Sequence, residues 1–500
     1  MNQSGHMQAT ADDLRALGIG SARSAAFDRD AGLIFALTIA QALALAHLYP
    51  GQRFDPDLLA YFTYFRNWLS DDRVLQHLPY FTAPKLLLVV LLGPLADATL
   101  AFYCTALVTA TLGSVLYLLW RDHFGRTAAL AASFFLLIDP SRTILTMRSG
   151  ADIYLAFLLF LSVLLCERGR VLAAATALLA AALVKPVALP CAAYFLLPVL
   201  PVRRRLLAMA IPFLAVPITL LGNHVLLGDA LGGRQFFAEF ASMGGSAAIG
   251  WEGVVHYALW TQLIKTRFLA TASFGIVGIL LWIDGDRARL QSPLLLMPLL
   301  FLAGYVMLGV VTSFPPYFRY FWPLEIWFLP FVVFGALEAA RRLAAGTRWL
   351  QYAMAAVVLV LLADSFVGRF VDYYRDYVRP AEQAARFADA AREILRTGRQ
   401  PGSTVLVPLG LFPFMMWEFP DAAREGAVYI AERVARDATP LRPDWVLHVP
   451  GMYTDDRART LLSTVIADGR LSVWIGDERA ALLGPAGGGR AAGAEKTEGR

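Results

Sequence analysis

Apolar residues along this chain gather into blocks of about 15–22 residues, long enough to cross a hydrocarbon core of about 30 Å as helices, separated by short Arg-rich or aromatic stretches. Runs such as Leu155–Leu165 and Val171–Val184 are apolar on every side. That excludes the alternating pattern of an outer-membrane barrel. The pattern predicts about eleven spans: Ala31–Leu48, Thr99–Trp120, Thr127–Ile138, Ala151–Cys166, Val171–Val184, Val187–Leu200, Leu206–Leu226, Leu263–Ile283, Pro293–Val311, Phe321–Leu337 and Trp349–Val367.

Arginines fix the expected orientation. With residues 1–30 as a cytoplasmic segment, Arg121/Arg126, Arg168/Arg170, Arg203–Arg205, Arg287/Arg289 and Arg341/Arg342/Arg348 all fall on the cytoplasmic side, as the positive-inside bias requires. The opposite side then receives the first external loop (about residues 50–98), Asp139–Gly150, Leu227–Gln262, Phe314–Tyr320 and everything after Val367. The transmembrane domain is read as residues 31–367.

After residue 367 the pattern changes. Short β-type runs at Thr404–Pro408, Trp445–Val449 and Leu471–Ile475 stand between helical patterns at Ala422–Arg436 and Asp455–Ile466, with Leu409–Phe419 read as an irregular loop. Residues 368–484 are expected to form a small extracytoplasmic α/β domain, and residues 485–500, rich in Gly and Ala, a disordered tail.

Composition agrees with the membrane reading. The 500 residues are 57% hydrophobic and 17% charged with a mean hydropathy of +0.54, which excludes an ordinary soluble globule. The net charge of +5 comes from residues flanking the spans, so it signals topology and not a nucleic-acid partner. Cys104, Cys166 and Cys191 offer no metal spacing and read as core filler. Basic residues are almost all arginine; Lys85, Lys185 and Lys265 are each expected at the external end of a span, where an ammonium could meet a phosphate.

In the first external loop Pro56 pushes Asp55 out of the helical region and suits a first helical position, making Asp55 a natural N-cap and Asp57 a first-turn carboxylate. The alternative role is a general base at the membrane surface, and spacing alone does not choose between them. Arg148 and Asp152 stand four apart and fit either a helical ion pair or a site. His224 and His256 have no partner at ligand spacing.

The order of motifs resembles the GT-C superfamily of integral-membrane glycosyltransferases, which includes protein O-mannosyltransferases and lipid A aminoarabinose transferases. FDPDLLAYF (Phe54–Phe62) resembles the acidic motif of the first external loop, and APKLLL (Ala83–Leu88) the basic element after it, with Pro84-Lys85 in place of a Lys-Pro order. IDPSRTILTMRSGADIYLAFLLFL (Ile138–Leu161), LLAAALVKP (Leu178–Pro186) and SFPPYFRYFWPLEIWFLP (Ser313–Pro330) continue the likeness across residues 30–340.

The resemblance implies an α-helical polytopic enzyme of a bacterial inner membrane. It would transfer a sugar from a polyprenyl-phosphate donor to an extracytoplasmic lipid, glycan or protein, inverting the anomeric carbon. Such a site needs a base and cations for the phosphate. The candidates are Asp55, Asp57 and Asp152 for catalysis, Lys85, Arg148, Arg319 and Lys185 for donor phosphate, and Tyr317, Tyr320 and Arg142 for substrate. Some relatives use a divalent metal and others none. The alternative is a transporter or flippase of a lipid-linked saccharide, which would place ionisable residues near the bilayer midplane. On the enzyme reading, the carboxy-terminal domain is expected to handle the acceptor and leave donor binding to the spans.

Overall fold

The computed structural model describes residues 28–48, 56–69, 85–196, 202–228, 268–312, 322–343, 347–373, 387, 391–408, 411–437, 440–448, 456–477 and 480–486. Its helices, in order, are α1 (Arg29–Leu48), α2 (Pro56–Leu69), α3 (Leu86–Leu92), α4 (Ala98–Phe124), α5 (Arg126–Leu137), α6 (Pro140–Met147), α7 (Ala151–Glu167) and α8 (Val171–Val184). After a 3₁₀ segment, Pro186–Leu196, come α9 (Val202–Phe213), α10 (Ala215–Leu227), α11 (Phe268–Gly285), α12 (Pro293–Thr312), α13 (Trp322–Leu343) and α14 (Arg348–Tyr373).

Helix stands at each of the eleven expected positions, but length divides them. Among the described residues, five helical stretches are long and apolar enough to cross a membrane, or six if α5 and α6 count as one bent span. The chain is a multi-pass membrane protein. Several other apolar helices are shorter; α8, with 14 residues, reaches only about 21 Å at 1.5 Å per residue. Where the span Val187–Leu200 is expected, Pro186–Leu196 forms a 3₁₀ segment containing Pro190, whose missing N–H cannot serve an α-helical ladder, and residues 197–200 lie outside the described residues. Of the cysteines read as core filler, Cys166 and Cys191 are buried, whereas Cys104 is exposed.

Helix ends assemble into two faces. At one, Arg121 pairs with Asp28, Arg126 with Asp30 at 2.6 Å, Arg168 with Asp122 at 3.3 Å, and Ser292 donates to Glu167 at 2.9 Å. These contacts tie together the start of α1, the end of α4, the start of α5, the end of α7 and the start of α12. By connectivity, the opposite face holds the end of α1, the starts of α3, α4 and α7 and the end of α8. Small residues close the bundle elsewhere. Where α11 crosses α13, a Cβ added at Gly278 would run into the Phe331 carbonyl oxygen and one at Gly335 into that of Phe274, so only glycine permits this approach.

The last part of the chain carries β1 (Val405–Val407), β2 (Val428–Ile430), β3 (Trp445–His448), β4 (Leu471–Asp477) and β5 (Ala480–Pro485) in the order β2-β1-β3-β5-β4. The pairs β1–β2 and β1–β3 are parallel, and β3–β5 and β4–β5 antiparallel. Strand periodicity sorts the side chains. Leu406, Val446 and Leu483 join Ala431, Val434, Ala458 and Leu462 on one face, whereas Val405, Val407, Leu447 and Leu482 join the main core with Phe412, Phe414 and Met415.

Two local expectations are corrected. The helical reading of Ala422–Arg436 conceals β2: Gly426 at φ 66° ends the helix α16, here Pro420–Arg424, and the β-favouring Val428-Tyr429-Ile430 follows before α17, Ala431–Asp437. The expected loop Leu409–Phe419 contains a helix, α15 (Phe412–Glu418), with Pro413 in its first turn; the last helix, α18, is Asp456–Ala467.

Candidate functional site

The helix α2 begins at Pro56, as a proline suited to a first helical position predicts, and places Asp57 in its first turn. Tyr61, one turn further, is buried. Its hydroxyl accepts from the Lys85 ammonium at 3.0 Å, and the ammonium lies 5.4 Å from the centre of the same ring. Lys85 also starts α3, its carbonyl accepting from the N–H groups of Leu88 and Val89 at 2.8 and 3.0 Å. A cation is therefore held against the helix that follows the acidic motif.

Between α5 and α6 the chain bends by 55°. The cause is Asp139-Pro140, where proline excludes the helical conformation for the residue before it and opens a new helix. The buried Asp139 carboxylate accepts from the N–H groups of Ser141 and Arg142 at 3.3 and 2.9 Å and from the Trp322 indole at 2.7 Å. The expected loop Asp139–Gly150 is thus largely the helix α6, by the same Asp-Pro logic that was applied at Asp55-Pro56. Arg142, a candidate substrate ligand, is buried and donates to the side-chain oxygen of Gln41 and to the Leu137 carbonyl, the latter at 2.7 Å. Its Nε has no partner among the described residues.

The turn from α6 to α7 brings Arg148, the half-buried C-cap of α6, ahead of Ser149 at φ 52° and Gly150. Because α7 starts at Ala151, Arg148 lies outside the helix, and i,i+4 spacing does not join it to Asp152. Asp152 pairs instead with Lys185. Lys185 precedes Pro186 and is accordingly extended, at φ −146° and ψ 122°, at the end of α8. The pair is nearly dry, with side-chain exposures of 13% for Lys185 and 4% for Asp152.

Connectivity puts Lys85, Arg148, Asp152 and Lys185 on the same face of the bundle, opposite the Asp28–Arg121 end. Asp55, Tyr317, Arg319 and Tyr320 lie outside the described residues, as do Lys265 and His256. Among the described residues no three His, Cys, Asp or Glu side chains come together as metal ligands would. Asp139, Tyr61, Gln41 and Trp322 were not singled out in the sequence; only Asp139 carried a readable signal, its proline.

No protein-family model matches the chain, and no curated protein matches its sequence. Solved structures are similar to it in fold. ArnT from Cupriavidus metallidurans bound to undecaprenyl phosphate gives a TM-score of 0.49 at 16% identity, over 90% of this chain and 97% of that one. The same protein in its apo state gives 0.45 at 15% identity, over 89% and 97%. The Archaeoglobus fulgidus oligosaccharyltransferase in complex with zinc and sulfate gives 0.45 at 14% identity, over 79% of this chain and 62% of that one.

Proposed function

We propose that this protein is a GT-C-type glycosyltransferase of a bacterial inner membrane, moving a sugar from a polyprenyl phosphate to an acceptor outside the cytoplasm with inversion. The observation that carries this reading is the gathering of Lys85, Arg148 and the Asp152–Lys185 pair at one end of a membrane bundle. Cations at a membrane edge, poorly hydrated, suit a lipid phosphate that must leave carrying negative charge. The donor phosphate is already a competent leaving group, so the protein has to supply only cations and a base for the acceptor hydroxyl. Asp55 and Asp57 are the candidate bases, Asp57 in the first turn of α2. Lys85 and Lys185 are the candidate phosphate ligands, with Arg148 and Arg319. Tyr317, Tyr320 and Arg142 are assigned to substrate.

The test is binding of undecaprenyl phosphate to the purified protein in detergent, with undecaprenol as the uncharged control. Saturable binding of the phosphate and not of the alcohol, weakened about tenfold by Lys85→Gln, is expected. Equal affinity for both lipids would refute a phosphate site. In proteoliposomes, movement of a labelled polyprenyl-phosphate sugar between leaflets without transfer to any acceptor would instead favour the flippase.

A further inference from the structure

The helix α2 carries the acidic start of the proposed site at one end and a second attachment at the other. Near its end, Arg66 donates to the carbonyl oxygens of Met416 and Trp417 at 2.9 and 3.2 Å, and its guanidinium lies 4.6 Å from the centre of the Trp417 ring. The ring of Phe62, one turn earlier on α2, sits 5.4 Å from the same indole. Those two carbonyls belong to the last turn of α15, where the helix has no further N–H groups of its own to offer them and where its dipole favours a cation.

The helix α15 is itself fastened to the rest of the sheet-bearing segment. Glu418, its last residue, pairs with Arg392 at 2.9 Å and Arg396 at 3.1 Å on the helix of residues 391–398, and Arg392 lies over the Phe414 ring. Contacts therefore run without a gap from the sheet segment through α15 to Arg66, along α2 to Tyr61, and from Tyr61 to Lys85.

We propose that Arg66 is a positioning residue: by clamping α2 to α15 it lets the carboxy-terminal segment set where Asp57, Tyr61 and Lys85 stand, and so controls donor binding. This rests on the reading of Lys85 as a phosphate ligand. It also revises the expectation that the carboxy-terminal domain serves only the acceptor, because the acidic helix docks on it. A side chain five residues from Tyr61 on a 14-residue helix acts through the helix as a lever, since a hydrogen-bonded helix moves as one piece. Arginine suits the position because its planar fork reaches two carbonyls while its face stacks on an indole; lysine can do the first only in part and the second poorly.

The experiment compares four proteins, each carrying Cys104→Ser to remove the exposed thiol: the parent, Arg66→Met, Arg66→Lys, and Arg66→Met with Phe62→Cys and Trp417→Cys, the last measured both oxidised and reduced. Hydrogen exchange over residues 56–69 and 85–92 reports the clamp, and undecaprenyl phosphate affinity reports the site. Arg66→Met should speed exchange in both segments and weaken binding about tenfold, with Arg66→Lys intermediate. The oxidised cross-link should restore both readouts and reduction should remove the restoration, an outcome that misfolding of the Arg66 variant could not produce. Unchanged exchange in Arg66→Met, or faster exchange with full donor affinity, would overturn the proposal. Should the parent bind undecaprenol as well as its phosphate, the glycosyltransferase reading fails while the exchange data still judge the clamp.

Discussion

The Asp152–Lys185 pair offers a stability measurement that also separates a structural role from a functional one. Both side chains are nearly excluded from solvent, so Lys185→Met strands a carboxylate in a poorly hydrated site. Removing one member of a buried pair costs about 3–5 kcal/mol, whereas replacing both with apolar residues of similar volume is often neutral or better. Lys185→Met should therefore lower the unfolding midpoint in detergent by roughly 6–20 °C, taking about 2–4 °C per kcal/mol as for large domains. Asp152→Leu together with Lys185→Met should recover most of that loss. A double-mutant cycle followed by fluorescence-detected size exclusion reads the coupling directly. Additive effects, or a loss under about 1 kcal/mol in the single variant, would refute the buried pair. If the stable apolar double variant still binds undecaprenyl phosphate normally, the pair only holds α7 to α8; if it folds but does not bind, Lys185 belongs to the phosphate site.

Gly278→Leu should disrupt the crossing of α11 and α13 and lower the yield of folded protein, because the new side chain meets the Phe331 backbone, which cannot yield as a flexible side chain could; normal yield and thermal stability would contradict the close approach. Asp139→Ala removes both the cap of α6 and the acceptor of the Trp322 indole, a loss of about 2 kcal/mol, while Asp139→Asn keeps the cap and should lose much less; equal stability of the two variants would show that the bend does not depend on this carboxylate. Burial pushes the His448 imidazole below its usual range, so the unfolded state binds the proton more readily and stability of the sheet falls as pH drops through about 6.5. Protection over residues 445–448, measured against the intrinsic amide exchange rate at each pH, should fall between pH 7.5 and pH 5.5, and His448→Gln should abolish the difference.

Long apolar stretches were legible because nothing but a helix satisfies their backbone in lipid, and all eleven positions hold helix. Span lengths were less legible, since Pro186 and Pro190 change the kind of helix without changing hydropathy. In the last part of the chain, β2 escaped notice because three β-favouring residues between two helices leave too short a period to detect. The site divided in the same way. Lys185 could be singled out as a lone lysine among arginines, but its partner is 33 residues away and the helical spacing pointed to Arg148 instead. The links of Lys85 to Tyr61 and of Arg66 to α15 join segments 24 and 350 residues apart, and no local pattern encodes them.

Departures from locally favourable choices run along the stretch from Arg142 to Lys185. A helix closing as α6 does prefers glycine at the left-handed position after its C-cap; here that position is Ser149, with glycine one residue late, and the serine hydroxyl is buried without a partner among the described residues. Nearby on the same stretch, Arg142 is buried with neutral partners, and Asp152 and Lys185 are dehydrated together where two apolar residues would pack at least as well. The opposite face has buried polar groups of its own: the indole N–H groups of Trp120 and Trp282 find no partner among the described residues, and His123 meets Glu167 at 3.3 Å with side-chain exposures of only 17% and 14%. Its Arg126–Asp30 and Arg168–Asp122 pairs involve partly exposed groups of the kind that cost little. The left-handed serine, the buried arginine and the dry ion pair along α6, α7 and the end of α8 are costs of the kind that folds tolerate where a ligand later satisfies them, which is the role proposed for Arg148 and Lys185.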